Sequence, residues 1–396
     1  MKILLCMMSG QLPPNILSVF HYKPDRLLLI ETKISKTISQ NFISSLNVSG
    51  FDFSQNNFDS ETVGEEYDFR QTTEQFAEIK KKYEEKYPNV EWIINLTGGT
   101  KPMSLGAYQT FKDSGAELVY VEKQKIYRHF GLNTEQIPCQ HDLSLKAFAL
   151  SYGFEFENAE AKAEKRGNQY WETSRVIASF ASLGRDGNPL GIRLTKDERE
   201  RIRKKNFTLG DTMLIPLSDK IANALKTQFG FTNGKGNSLL GDTKKYVGEF
   251  LTGGWLEVFI WGLLRKHAKV LGLRDTHLGL VPITDQENTK VRNDFDVSFL
   301  RELTFNMVEC KTGQQSPDEV LYKTSMVLQQ LKALYVRAFL VTNSPSFLDE
   351  RTKQIRNSIK ARAGLYGCRI ITAEQIECLA KNSDDVETIR DVFGWK

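Results

Sequence analysis

The sequence predicts an α/β fold in two parts, on three observations. Short, nearly continuous apolar runs alternate with helical segments through the first 150 residues. Near the other end an apolar helix precedes two strands of alternating pattern, Asp294 to Phe299 and Phe305 to Lys311. The composition, 40% hydrophobic and 26% charged over 396 residues, is that of a folded chain of two or three domains.

Lys2 to Met8 reads as a strand buried on both faces, and Pro13 with Pro14 opens a helix through Phe20. Arg26 to Glu31 is a second buried strand, and Ile34 to Leu46 has helical spacing. Thr72 and Gln75 form a predicted capping box, with Phe76, Ile79, Tyr83 and Tyr87 at helical intervals until Pro88. Trp92 to Leu96 is a further strand, and a helix follows Pro102. Leu118 to Glu122 and Lys125 to Phe130 pair as a hairpin about Lys123 and Gln124. This alternation builds a mostly parallel, Rossmann-like sheet, in which ligands sit beyond the carboxyl ends of the strands.

Two loops leave strands at that end. One is Ser9-Gly10-Gln11; the other is Thr97-Gly98-Gly99-Thr100-Lys101-Pro102-Met103. Adjacent glycines allow close backbone approach, the threonines supply hydroxyls, and Lys101 supplies a cation. The helix N-terminus that follows presents free N–H groups to an anion. The same residues also suit an ordinary tight turn. The loop is neither GxGxxG nor GxxxxGK[ST], so neither a dinucleotide nor a P-loop triphosphate is indicated.

The middle of the chain carries fewer signals. His141 to Tyr152 reads as a helix leaving the first domain, and residues 151–240 as a connector with helical elaboration. Within it, Thr195 to Lys205 reads as a solvated helix face and Gly230 to Gly241 as a mobile loop.

The sharper chemistry lies in residues 241–396. Trp255 to Lys266 is an apolar helix with one acid, Glu257, which needs a cation, a metal or a donor if it is buried. Side chains on a strand repeat with period two, so Asp294, Asp296 and Ser298 share one face. Likewise Glu309 and Lys311 share a face, while Val308 and Cys310 point the other way. Paired as a hairpin, the strands bring Asp296 near Glu309 and Lys311. Two carboxylates at that distance repel unless a divalent cation lies between them, and oxygen ligands favour magnesium or manganese. Lys311 would orient or help deprotonate water and offset charge in the transition state, as phosphodiester hydrolysis requires. With a helix over Asp318 to Leu334 and strands at Ala338 to Thr342 and Arg369 to Thr372, the order matches a restriction-endonuclease-like α/β core.

Several classes are excluded. The formal charge is only +4, from 53 basic and 49 acidic residues, so the chain is not coated with phosphate-seeking cations. Five scattered cysteines without a CxxC pair argue against zinc fingers and disulfide scaffolds, and five histidines show no HExxH spacing. No apolar run approaches the ~18 residues of a membrane span, and the N-terminus lacks a signal-peptide core. The expectation is a cytoplasmic protein without a membrane partner.

Gly254-Trp255-Leu256-Glu257, Asn293-Asp294-Phe295-Asp296-Val297 and Val308-Glu309-Cys310-Lys311-Thr312-Gly313 resemble the three motifs of the PD-(D/E)xK nuclease domain in ancillary nucleases of type III CRISPR systems. Leu96-Thr97-Gly98-Gly99-Thr100-Lys101 resembles the signature loop of the CARF domain fused to those nucleases. The resemblance implies a CARF sensor over 1–150 and a nuclease domain over 241–396. It implies a homodimer whose two CARF domains enclose one cyclic oligoadenylate, with the tetra-adenylate favoured. Ligand binding then switches on metal-dependent cutting of DNA or RNA in antiviral defence.

Glu257, Asp296, Glu309 and Lys311 are the catalytic candidates, and Asp296, Glu309 and Cys310 the candidate ligands for Mn2+ or Mg2+. Ser9, Gly10, Gln11, Thr97 to Lys101 and Met103 are the candidate ligand-binding residues. The family usually has Glu where this chain has Asp294, and a paired glycine where it has Ala333-Leu334-Tyr335. Three alternatives stand beside this reading. They are a restriction or repair nuclease without messenger control, a CARF sensor on a non-catalytic platform, and cleavage of the messenger by the N-terminal domain itself.

Overall fold

The computed structural model describes residues 1–395 apart from 11, 54–56, 123–124, 131–132, 140–142, 158–159, 185–186, 193–196, 199–200, 203–206, 284–293 and 332–335. Gln11, the turn at Lys123 and Gln124, His141, Asn293, Ala333-Leu334-Tyr335 and most of the Thr195 to Lys205 run lie outside the described residues. The chain divides into two compact units, Met1–Glu155 and Phe156–Lys396. From Phe156 onward the stretch read as a connector therefore falls within the second unit.

The first unit holds a seven-stranded sheet. Its strands are β1 (Lys2–Met7), β2 (Arg26–Glu31), β3 (Phe58–Thr62), β4 (Glu91–Asn95), β5 (Glu117–Glu122), β6 (Lys125–Phe130) and β7 (Asn133–Pro138). They lie in the order β3-β2-β1-β4-β5-β6-β7, with the first five parallel and the last two antiparallel. Helices α1 (Pro13–Tyr22), α2 (Lys36–Val48), α3 (Phe69–Lys86), α4 (Lys101–Phe111) and α5 (Leu145–Ser151) complete it. Strands β1, β2 and β4 are apolar because the sheet is covered; Ile3, Leu5, Met7, Leu28 and Ile94 pack with Phe76, Tyr83 and Phe111 of α3 and α4. Strand order reverses between β1 and β4, and the crevice there is flanked by the loops that follow both strands.

One capping prediction is corrected. Helix α3 starts three residues before Thr72, with Asp68 accepting the Gln71 N–H at 3.0 Å. Thr72 lies inside the helix, where its hydroxyl reaches the carbonyl oxygens of Phe69 at 3.0 Å and Pro102 at 3.2 Å.

The second unit begins with α6 (Glu160–Ala178), β9 (Phe207–Leu209), α7 (Asp219–Phe229), β10 (Thr232–Asn233) and β11 (Leu239–Thr243), after the short strand β8 (Glu155–Phe156). Strands β10, β11 and β9 form a small sheet, so Gly230 to Gly241 is a hairpin and not the expected loop. Its turn is closed by the Ser238 hydroxyl donating to Lys235 O at 2.8 Å.

Then come α8 (Lys245–Glu249), a π-helical turn (Phe250–Gly254), α9 (Trp255–Lys266), α10 (Ala268–Leu271), β12 (Leu273–Leu280), β13 (Pro282–Ile283), β14 (Phe295–Arg301), β15 (Thr304–Lys311) and α11 (Pro317–Gln330). β16 (Val336–Thr342), α12 (Asn357–Leu365), β17 (Cys368–Ile371), α13 (Ala373–Lys381) and α14 (Val386–Phe393) end the chain. The main sheet runs β12-β14-β15-β16-β17, antiparallel up to β15 and parallel beyond. Val297, Phe299, Val308, Cys310, Phe339 and Val341 join Trp255 and Phe259 in its core.

Across the π-helical turn, Tyr246–Lys266 forms one helical stretch of 21 residues, long and apolar enough to cross a membrane by length and composition. This corrects the expectation that no run approaches that length. The apolar window is 67% buried within the protein, as the core helix of a folded domain would be.

Candidate functional site

The β14–β15 hairpin turns through Glu302 and Leu303, both at positive φ (51° and 54°), the geometry that matches strand twist. Its register pairs Val297 with Val308, and the next residues outward are Asp296 and Glu309. Both carboxylates converge on one ammonium: Lys311 Nζ pairs with Glu309 Oε1 and lies 3.8 Å from Asp296 Oδ2. Asp296 Oδ2 also accepts the Cys310 backbone N–H at 2.6 Å.

Burial, then the charges of Glu257 and Glu309, push the Asp296 carboxyl well above the usual carboxylate range, against the opposing pull of Lys311. For Lys311 burial works downward, but Asp296 and Glu309 outweigh it and hold the ammonium above its ordinary value. Lys311 is therefore charged at neutral pH. Glu257 sits in the first turn of α9, which follows directly on the π-helical turn. Gly253 within the turn has φ 147°, and a Cβ there would meet Thr312 Oγ1 at 2.9 Å. Two carboxylates thus face one ammonium, and the charge of a third, Glu257, acts on Asp296.

In the first unit the crevice is built on a buried polar network. Asn95, at the end of β4, accepts the Thr97 N–H at 3.0 Å and donates to Asn15 Oδ1 at 2.9 Å and Ser18 Oγ at 3.0 Å. Asn15 in turn donates to Met7 O at 3.1 Å, which ties the ends of β1 and β4 together. Gly98 lies so close to β1 that a Cβ would stand 2.3 Å from Met7 O. Thr97 Oγ1 accepts the Val121 N–H at 2.7 Å, and Ser104 Oγ donates to Gly98 O at 2.9 Å. Thr100 caps α4 and also donates to Glu66 O.

A family model described as the Card1 CARF domain matches residues 3–148, and one described as the Card1-like endonuclease domain matches residues 244–384. The chain joins a CARF domain to an endonuclease domain. Among solved structures, Can2 from Sulfobacillus thermosulfidooxidans, in complex with cyclic tetra-adenylate, matches with a TM-score of 0.64 at 20% identity, covering 98% of this chain and 100% of that one. Protein VC1899 from Vibrio cholerae matches with a TM-score of 0.72 at 16% identity, covering 98% of each chain. Both likenesses concern the fold. No curated protein matches.

Within the endonuclease domain, Asp296, Glu309 and Lys311 come together, with Glu257 close enough to act on Asp296. The Cys310 side chain belongs to the core, and its backbone N–H is what reaches the site. Among the described residues no group of three or more His, Cys, Asp or Glu side chains is spaced to hold a metal ion. In the CARF domain, Thr97, Gly98, Gly99 and Thr100 line the end of β4, and Lys101 is exposed at the start of α4. Met103 is fully buried and serves the core.

Sequence reasoning missed Asn15 and Asn95, which hold the CARF loop. It also missed Asn343, whose Oδ1 accepts the Gly313 N–H at 3.2 Å while its Nδ2 donates to Gly187 O at 2.7 Å. The available signal was position: Asn95 and Asn343 stand at or just past the end of a buried strand, where a polar residue needs a reason.

Proposed function

We propose that this chain is a metal-dependent nuclease switched on by a cyclic oligoadenylate, acting as a homodimer in type III CRISPR defence. The observation that carries the reading is the convergence of Asp296 and Glu309 on Lys311 at the open end of the sheet. The excess of carboxylates over ammonium there suits a divalent cation, since magnesium is usually held by one or two carboxylates together with substrate phosphate. When bound, Mn2+ or Mg2+ supplies Lewis-acid chemistry at the scissile phosphate, and Asp296 and Glu309 are the residues that would hold it.

Lys311 keeps its proton and offsets charge on the phosphoryl oxygens as it develops. This favours charge stabilisation over general-base work for the lysine. The Cys310 N–H fixes the Asp296 carboxylate toward the site. In the CARF domain, Lys101 and the N-terminus of α4 meet the phosphates of the messenger, and the glycine pair lets its backbone approach. The fold shared with Can2, solved with cyclic tetra-adenylate, supports that ring as the messenger.

The test is cleavage of plasmid DNA and of RNA with manganese, with and without cyclic tetra- and hexa-adenylate, by the wild-type chain and Glu309→Ala. The expected result is messenger-dependent cutting by the wild type that Glu309→Ala lacks. Equal cutting with and without messenger removes the sensor role, and cutting by Glu309→Ala at the wild-type rate removes the assigned site.

A further inference from the structure

The stretch from Phe347 to Arg362 carries five basic and two acidic side chains, a net +3 in a chain whose total formal charge is +4. Its first part is a tight hairpin. Arg356 N–H donates to Phe347 O at 3.1 Å, Asp349 N–H donates to Gln354 O at 2.8 Å, and Leu348 bridges Ile355. At the tip, the Asp349 carboxylate accepts the N–H groups of Arg351 and Thr352 at 3.0 and 2.9 Å, so one of the two acids is consumed in closing its own turn. Phe347 is fully buried and anchors the base. Arg351, Lys353 and Lys360 are exposed, and among the described residues none of them forms an ion pair, whereas Arg362 is matched with Asp318.

The hairpin is fastened to the active-site end of the sheet. Strands β15 and β16 run parallel with Lys311 beside Thr342, so the chain leaving β16 emerges where the catalytic lysine lies. There the Ser346 hydroxyl donates to Gln315 O, and the Gln315 N–H donates to Ser344 Oγ at 3.3 Å. The Arg356 guanidinium donates to Ser346 O. A preformed, exposed hairpin with unmatched cations thus stands beside the loop that follows Lys311.

We propose that the Leu348–Arg356 hairpin and the start of α12 form a phosphate-binding rim that holds the sugar–phosphate backbone of the nucleic-acid substrate next to the scissile bond. This rests on the nuclease reading above. Exposed cations outside any ion pair contribute little to folding, whereas each phosphate they neutralise releases condensed counterions and adds to affinity. The shared sheet end selects a nucleic-acid backbone over other anions. Residues 195–205 are equally basic in sequence, so it is the fastening beside Lys311, not the charge count, that singles out this stretch.

The test compares Arg351→Gln/Lys353→Gln with the otherwise unchanged chain. Both are built in full-length Glu309→Ala protein, so that bound strands survive, with cyclic tetra-adenylate present. Binding of labelled DNA and RNA strands is followed by anisotropy from about 0.1 M to about 1 M salt, where two lost phosphate contacts flatten the slope of log K against log salt by roughly 1.4–1.8. The same arithmetic weakens binding about 25- to 60-fold at the low-salt end and closes the gap near 1 M.

With Glu309 intact, the double variant should raise KM for cutting in step with the loss of affinity. Its melting temperature should match that of the parent, because both side chains are exposed and neither forms an ion pair. If the double variant does not fold, Lys353→Gln alone should lose about half of that slope change. A folded variant with the parent's affinity and salt slope overturns the rim while leaving the nuclease reading intact. A wild-type chain that neither binds nor cuts either strand overturns both.

Discussion

Replacing Asp296 by asparagine separates the charge of this carboxylate from its shape. The amide oxygen can still accept the Cys310 N–H that now lies 2.6 Å from Oδ2. What is lost is an attraction to Lys311 at 3.8 Å, worth about 4 kcal/mol at an effective dielectric of about 20. That attraction is already outweighed, since burial and the charges of Glu257 and Glu309 still leave the Asp296 carboxyl raised. The sign follows by linkage: a carboxyl raised on folding penalises the folded state once ionised. The penalty is present above the raised folded pKa and is lost as pH falls through it toward the ordinary ~3.9. Asp296→Asn is therefore expected to be at least as stable as wild type at neutral pH, with the margin shrinking on acidification.

Asp296→Ala behaves differently, because it strips the acceptor from a buried backbone N–H at a cost of about 1–3 kcal/mol. At about 2–4 °C per kcal/mol, that sets its Tm roughly 2–12 °C below that of Asp296→Asn. Both variants should lose about 10²- to 10³-fold in cleavage rate. Thermal unfolding in chelator across the pH range, set beside cleavage with manganese, measures both effects. An asparagine variant less stable than wild type by about 1 kcal/mol or more refutes the electrostatic account. One that cuts at the wild-type rate refutes the catalytic assignment.

Lys101→Ala should raise the cyclic tetra-adenylate concentration for half-activation about ten- to a hundredfold, by loss of a charged hydrogen bond, as read by calorimetry and a cleavage titration. A collapsed maximal rate at an unchanged half-activation point would instead place the loop at the catalytic centre. Gly98→Ala sets a Cβ 2.3 Å from Met7 O, so the ends of β1 and β4 must part. It should destabilise the CARF domain by about 1–3 kcal/mol, and an unchanged Tm argues against that contact. Maleimide labelling of the native chain should reach Cys378 alone, as located by peptide mass spectrometry. Burial pushes the other four thiols up, Cys139 to about 11 and Cys368 to about 12, so a second labelled site in folded protein contradicts this packing.

Elements whose signal is periodic and local are legible in the residues alone. The apolar runs of β1, β2 and β4 announced covered strands, and the alternation through Asp294 to Phe299 and Phe305 to Lys311 announced a hairpin with its acids and lysine on one face. Period two along a strand is a property of covalent neighbours, so no fold is needed to see it. Strands β3 (FDSET) and β7 (NTEQIP) escaped, because strands at the sheet edges carry too few apolar residues to read as runs. The start of α3 differs from the sequence expectation for a related reason. Asp68 and Thr72 both satisfy the local capping pattern, and the bond from Thr72 to Pro102 O draws that threonine into the helix.

The remaining features come from contacts between distant segments. That Glu257 bears on Asp296, that Lys311 stays charged, and that Asn95 reaches Asn15 across 80 residues depend on strand order and on how helices cross the sheet. The fastening of Ser346 to Gln315 is of the same kind. Burial and the sum of nearby charges are set by contacts between distant segments, and no window of sequence contains them.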